Sequence, residues 1–163
     1  MPYPAALFYL KGMIFMAAEY SAIPVQTIAV DENVIFANGS RACHKGYIQH
    51  RDTSGIFFLK GATNGCRAVY RVTFNANIAV SAAADGGVLG PISVALTING
   101  EALGNATAIV VPAAIATDFF NVSVTTFIEI PCGCCVTVSV ENVSDSGSAI
   151  DVSNANIIFD RVA

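Results

Sequence analysis

A chain of 163 residues suits one domain and leaves little room for a second. It is 54% hydrophobic and only 12% charged, with eight scattered Lys and Arg and a formal net charge of −4. Those numbers exclude the basic footprint that nucleic-acid binding needs, and no apolar run is long enough to span a membrane.

A folded monomer of this size exposes roughly 7,700 Å². So few charged side chains are sparse cover for such an area. Part of the surface is therefore expected to be hidden against copies of the same chain, because obligate homo-oligomer interfaces are apolar and poor in charge.

The first residues, MPYPAALFYLKGMIF, differ in character from the rest of the chain. A secretory signal wants a basic start, an unbroken apolar core and a small-residue cleavage site. Here the start is uncharged and Lys11-Gly12 interrupts the apolar run. Two readings of residues 1–24 stand side by side: an apolar arm that docks on a neighbour, or a leader lying ahead of a natural start at Met16. Residues 25–163 are then the domain proper.

From Val25 onward the dominant period is two, the mark of strands with one buried face. Short runs at 27–30, 34–37, 47–50 and 56–59 come first. A long run succeeds them, with Tyr70, Val72, Phe74, Ala76, Ile78 and Val80 on one face and Arg71, Thr73, Asn75 and Asn77 on the other. Next, Ile92, Val94, Leu96 and Ile98 alternate with Ser93, Ala95 and Thr97, ahead of a shorter run at 106–111. Then Phe120, Val122, Val124, Thr126, Ile128 and Ile130 alternate with Asn121, Ser123, Thr125 and Glu129. Val136, Val138 and Val140 continue the pattern, and 155–162 closes it.

Asn38-Gly39, Asp85-Gly86-Gly87, Asn99-Gly100 and residues 144–148 supply turn chemistry between these runs. Pro91, Pro112 and Pro131 fall at strand ends, where a missing N–H costs least. No stretch carries a capped helical period. The pattern predicts an all-β, two-sheet antiparallel jelly-roll sandwich of about ten strands. Its outward faces are Ser, Thr and Asn rather than Lys and Glu, which suits protomers packed side by side.

The segment GYIQHRDTSGIFFL, at residues 46–59, resembles the paired short strands that precede the long third strand of the tumour-necrosis-factor and complement globular-head superfamily. Residues 70–80 match that long strand, and 90–103, with the Asn99-Gly100-Glu101 turn, match the strand and hairpin after it. The stretches 119–129, 134–141 and 154–162 match the last three strands. More narrowly, SGIF, GPIS, INGE, IPCGCC and the ending NANIIFDRVA are similar to short bacterial and prophage-encoded members.

The resemblance implies a ten-stranded jelly roll assembled as a tight homotrimer around an apolar axis. No collagen-like Gly-X-Y tract is present, which favours a virion component over a filament tip. The implied function is a trimeric phage capsid-decoration or head-fibre protein, with the major capsid protein or another virion surface as partner. The alternative is a bacterial surface or secreted ligand-binding module. Loops 82–90 and 144–153 would then carry specificity.

The five cysteines, Cys43, Cys66, Cys132, Cys134 and Cys135, fit neither a complete disulfide framework nor a standard zinc spacing. Cys43 and Cys66 flank the paired short strands, and a disulfide between them is one possibility. Three thiols within residues 132–135 could bind a soft metal or form redox bonds, and a threefold arrangement could gather three copies of one of them. Against that, they read as small apolar residues buried at a strand start.

His44 and His50 lie beside Lys45 and Arg51, on an expected exposed loop and strand end. Replacing both is expected to leave stability and assembly nearly untouched, and a cupin-type metal site is the lesser reading. His50, Asp52 and Ser54 are triad residue types, but three such residues on one extended segment make no triad. Asp118, Glu129 and Glu141 offer only an arbitrary choice of carboxylate pair. The sequence therefore assigns no catalytic, cofactor-binding or metal residue, and the chain reads as non-enzymatic.

Overall fold

A computed structural model describes residues 17–39, 46–51, 53–62, 67–82, 89–114 and 118–163. Among them lie eleven strands and no helix: β1 (Ala17–Ala22), β2 (Gln26–Ile28), β3 (Asn38–Gly39), β4 (Ile48–His50), β5 (Phe57–Lys60), β6 (Ala68–Val80), β7 (Ile92–Ile98), β8 (Glu101–Val110), β9 (Phe120–Ile130), β10 (Cys135–Asn142) and β11 (Ile150–Arg161). All the ladders are antiparallel. One sheet runs β3-β1-β11-β6-β9, with β2 also on β11; the other runs β4-β5-β10-β7-β8.

The alternation seen in sequence becomes the core. On β6 every second residue from Ala68 to Val80 is buried, and on β9 Val122, Val124, Thr126, Ile128 and Ile130 are buried while their neighbours face out. Facing rows from β5, β7 and β10 meet them: Phe57, Leu59, Val94, Leu96, Val138 and Val140. Each such aliphatic or aromatic side chain contributes about 1.5–3 kcal/mol on full burial. The sandwich is held by that interdigitation.

Three departures from the sequence reading have physical causes. First, β1 lies ahead of Val25, where the period is expected to begin, and it pairs with β11 from Ala17↔Asp160 to Ala22↔Ala155. Its inward residues include Tyr20 and Ala22, and alanine signals a strand face weakly. Second, β8 begins at Glu101, although no alternation appears before residue 106. It opposes Thr97 with Ala102 and Ala95 with Thr107, so four residues bulge opposite Leu96. Third, β11 begins at Ile150, not 155. Its ladder slips between Ser153 and Asn156, with Asn154 at φ 49°, and the buried set changes phase from Ile150 and Val152 to Ala155, Ile157 and Phe159.

One strand is enclosed more fully than alternation implies. On β7, Ser93, Ala95 and Thr97 are buried as well as Ile92, Val94 and Leu96. The hydroxyls find partners: Ser93 Oγ donates to Val143 O at 2.8 Å, and Thr97 Oγ1 lies 2.6 Å from Ser139 Oγ. Satisfied this way, they cost little in the interior.

Candidate functional site

The two sides of the sandwich end differently. On one side the last strands are β3 and β4, of two and three residues. Behind them Tyr20, Phe36, His50, Phe57 and Phe159 form an aromatic cluster, with centroids 4.5 to 6.4 Å apart. On the other side the last strands are β8 and β9, of ten and eleven residues, which lie against each other. Among the described residues, each leaves one flank of main-chain N–H and C=O groups without a partner strand, a ready template for another chain.

The long edges also carry apolar side chains into solvent. Ile109 is 65% exposed, Val111 66% and Phe127 63%, with Phe119 beside β9 also exposed. Phe127 is the sharpest signal, because its neighbour Thr126 points inward and is 8% exposed. A strand that turns threonine to the core and phenylalanine outward has an outer surface of its own to satisfy. The sequence contains that inversion, but strand alternation alone does not single out Phe127.

Around Phe127 the outer face of the first sheet is tiled by laterally paired polar groups. Thr73 and Thr125 hydroxyls lie 3.1 Å apart, Asn121 Nδ2 donates to Asn77 Oδ1 at 3.2 Å, and Asn75 Nδ2 donates to Asn156 Oδ1 at 3.0 Å. Asn156 Nδ2 in turn donates to Glu19 Oε1 at 3.1 Å. Charges are paired as well: Arg71 holds Asp160 through two donors, and Arg67 holds Glu129. Such a face gives up few unmet bonds when water leaves it.

Among the described residues, the types that could carry chemistry do not assemble. His50 is not an exposed strand end. It shares the inward parity of Ile48, stacks on Phe57 at 4.5 Å, and its Nε2 lies 2.8 Å from Ser54 O. The contact is to the Ser54 carbonyl; Ser54 Oγ accepts from Ile56 N at 3.0 Å. Asp118 and Glu129 sit at opposite ends of β9, roughly 35 Å apart at about 3.3 Å per residue. Asp118 braces its own loop, accepting from Ala113 N at 3.0 Å. Glu141 is pushed above its ordinary value by burial and then by the neighbouring Asp31 carboxylate.

Cys132, Cys134 and Cys135 are free and exposed, not buried at a strand start. The reason is local: Pro131 to Cys134 forms a turn, closed by Cys134 N→Pro131 O at 3.2 Å with Gly133 at φ 72°. Among the described residues no group of three His, Cys, Asp or Glu could hold a metal ion. Cys43, Cys66, His44, Asp52, residues 83–88 and the first 16 residues lie outside the described residues.

The 144–153 segment is anchored on either side of its turn, with Asp145 and Gly147 exposed at the tip. Asn142 is fully buried; its Nδ2 donates to Ile28 O at 3.0 Å and Ser148 O at 3.1 Å, and its Oδ1 accepts from Ser144 N and Oγ. Ser144, Ser148 and Ala149 are buried with it, and β11 begins at Ile150.

No protein-family model matches the chain, and no curated protein matches it. Solved structures do. The fold is similar to Eiger TNF from S. frugiperda, with TM-score 0.62 at 13% identity, over 91% of this chain and 93% of that one. The globular domain of the zebrafish complement 1qA protein aligns over 89% of this chain and 94% of that one, at 11% identity and TM-score 0.48. The architecture is thus a jelly roll of the tumour-necrosis-factor type, and at this identity the likeness concerns the fold alone.

Proposed function

We propose that this chain is a non-enzymatic module that works as a homotrimer, by binding and assembly rather than by chemistry. The observation that carries the reading is the pair of long open edges, β8 and β9, with Ile109, Val111, Phe119 and Phe127 exposed along them. Covering each of these half-exposed side chains gains roughly 1 kcal/mol, and a neighbour's surface would also shield the unpaired main chain. Three copies around an axis is the arrangement that the sequence resemblance implies, and a closed ring lets every copy cover the next without growing a fibre.

The finer reading is a virion component, a capsid-decoration or head-fibre protein. It rests on the similarity of SGIF, GPIS, INGE and IPCGCC to short prophage-encoded chains, and on the low surface charge. Sedimentation equilibrium tests the assembly: the expected mass is three times that of the chain, held on moderate dilution, and a clean monomer overturns it. Mass spectrometry of purified phage particles tests the virion role, which fails if the chain is absent from them.

A further inference from the structure

The Pro131–Cys135 segment gathers three of the chain's five cysteines. Cysteine is among the most buried residue types, so three exposed thiols within four positions call for a chemical reason rather than a packing one. The backbone beneath them is firmly held. Gly133 N donates to Ala62 O at 2.9 Å and Gly61 N donates to Cys134 O at 2.8 Å, so two main-chain bonds clamp the turn onto the chain leaving β5. Gly61 is required there, since a Cβ would meet Pro131 O at 2.2 Å. The thiols therefore stand on a fixed platform instead of a loose loop.

The platform also has a defined place. Ile130 pairs with Ala68 at the start of β6, and Ala163 O accepts from Val69 N at 2.9 Å. The turn thus caps the pole where β6 begins and the last residue docks. Cys135 opens β10, whereas Cys132 and Cys134 stand in the turn ahead of it. No three ligand groups converge among the described residues, which argues against a metal held within one chain.

We propose that this turn is a disulfide-exchange site that links the chain covalently to a second copy of itself, pole to pole. One thiol from each copy gives up its proton and one electron, two protons and two electrons pass to a disulfide or diazene oxidant, and an S–S bond forms between the chains. The proposal does not depend on trimerisation, because it is read under denaturing conditions.

The test treats the full chain with diamide, a diazene that takes up the two electrons and two protons, and runs it on a denaturing gel without reductant. The expected result is a band at twice the chain mass that dithiothreitol removes. The variant with Cys132→Ser, Cys134→Ser and Cys135→Ser together should lose that band at least tenfold, while the Cys43→Ser, Cys66→Ser variant keeps it. Three outcomes overturn the proposal: no linked species, a mass loss of two hydrogens within a single chain, or linkage that survives in the triple variant. Sedimentation in reductant reports the trimer separately, so the two readings can fail independently.

Discussion

The two sides of this sandwich solve the same problem in opposite ways. Where β3 and β4 end the sheets, the edge strands are short, and an aromatic cluster from Tyr20 to Phe159 fills the space behind them. Where β8 and β9 end the sheets, the edges are long, nearly uncharged and studded with apolar side chains. A protein that can close one side from within has no general difficulty with edges. The open side therefore reads as a surface kept for a neighbour, which sheet-edge physics would otherwise penalise.

The sharpest way to break that comparison is to use β9 itself, since its faces are assigned opposite tasks. Val122→Asp buries an unpaired charge and should cost about 5 kcal/mol or more, comparable with a whole domain's stability. Circular dichroism should show no cooperative transition. Phe127→Lys, on the same strand, should keep the fold and lose the assembly, falling to monomer mass by light scattering. If both variants fold and assemble, the assignment of faces is wrong.

The closed side should fail by losing internal partners. Asn142→Ala removes the side-chain donor to the carbonyls of Ile28 and Ser148 and the acceptor of the Ser144 amide N–H, and should cost about 2–4 kcal/mol in urea unfolding without changing the assembled mass per folded chain. His50→Ala removes a ring stacked on Phe57 and a bond to Ser54 O, and should cost about 1–2 kcal/mol. A neutral result there would restore the exposed strand end that the sequence suggests.

The smallest effect is a matter of pH. Tyr70 Oη donates to Lys60 O at 2.6 Å, and burial, partly offset by Arg161, pushes the phenol up to about 12. Its folded value lies above the ordinary one, so the stabilisation from the neutral phenol is fully present below pH 10 and is lost as pH rises through 12. Thermal midpoints should decline across that window, and Tyr70→Phe should flatten this part of the decline at a cost of about 1 kcal/mol at neutral pH.

How legible the molecule is in its sequence depends on what each residue type can say. β7 and β9 span the residues that alternation marks, because Val, Ile and Phe leave no doubt about which face is dry. β11 looks shorter in sequence than it is because its bulge changes the phase of the period, and a slipped phase resembles a strand start. The buried outer face of β7 is invisible there, since Ser, Ala and Thr are acceptable both to water and to a hydrogen-bonded interior. Residue type alone places the thiols of residues 132–135 in the interior, whereas the turn around Gly133 sets them outside. At the candidate surface Phe127 is an apolar residue out of step with its own strand, and alternation alone does not pick it out.

β7 is bonded along both flanks, by β8 and β10, and from Ile92 to Thr97 it is dry above and below. Those amides should be among the last to meet deuterium from the solvent, and the ones bonded to the inner strand β10 should exchange at a rate that gauges the global unfolding free energy.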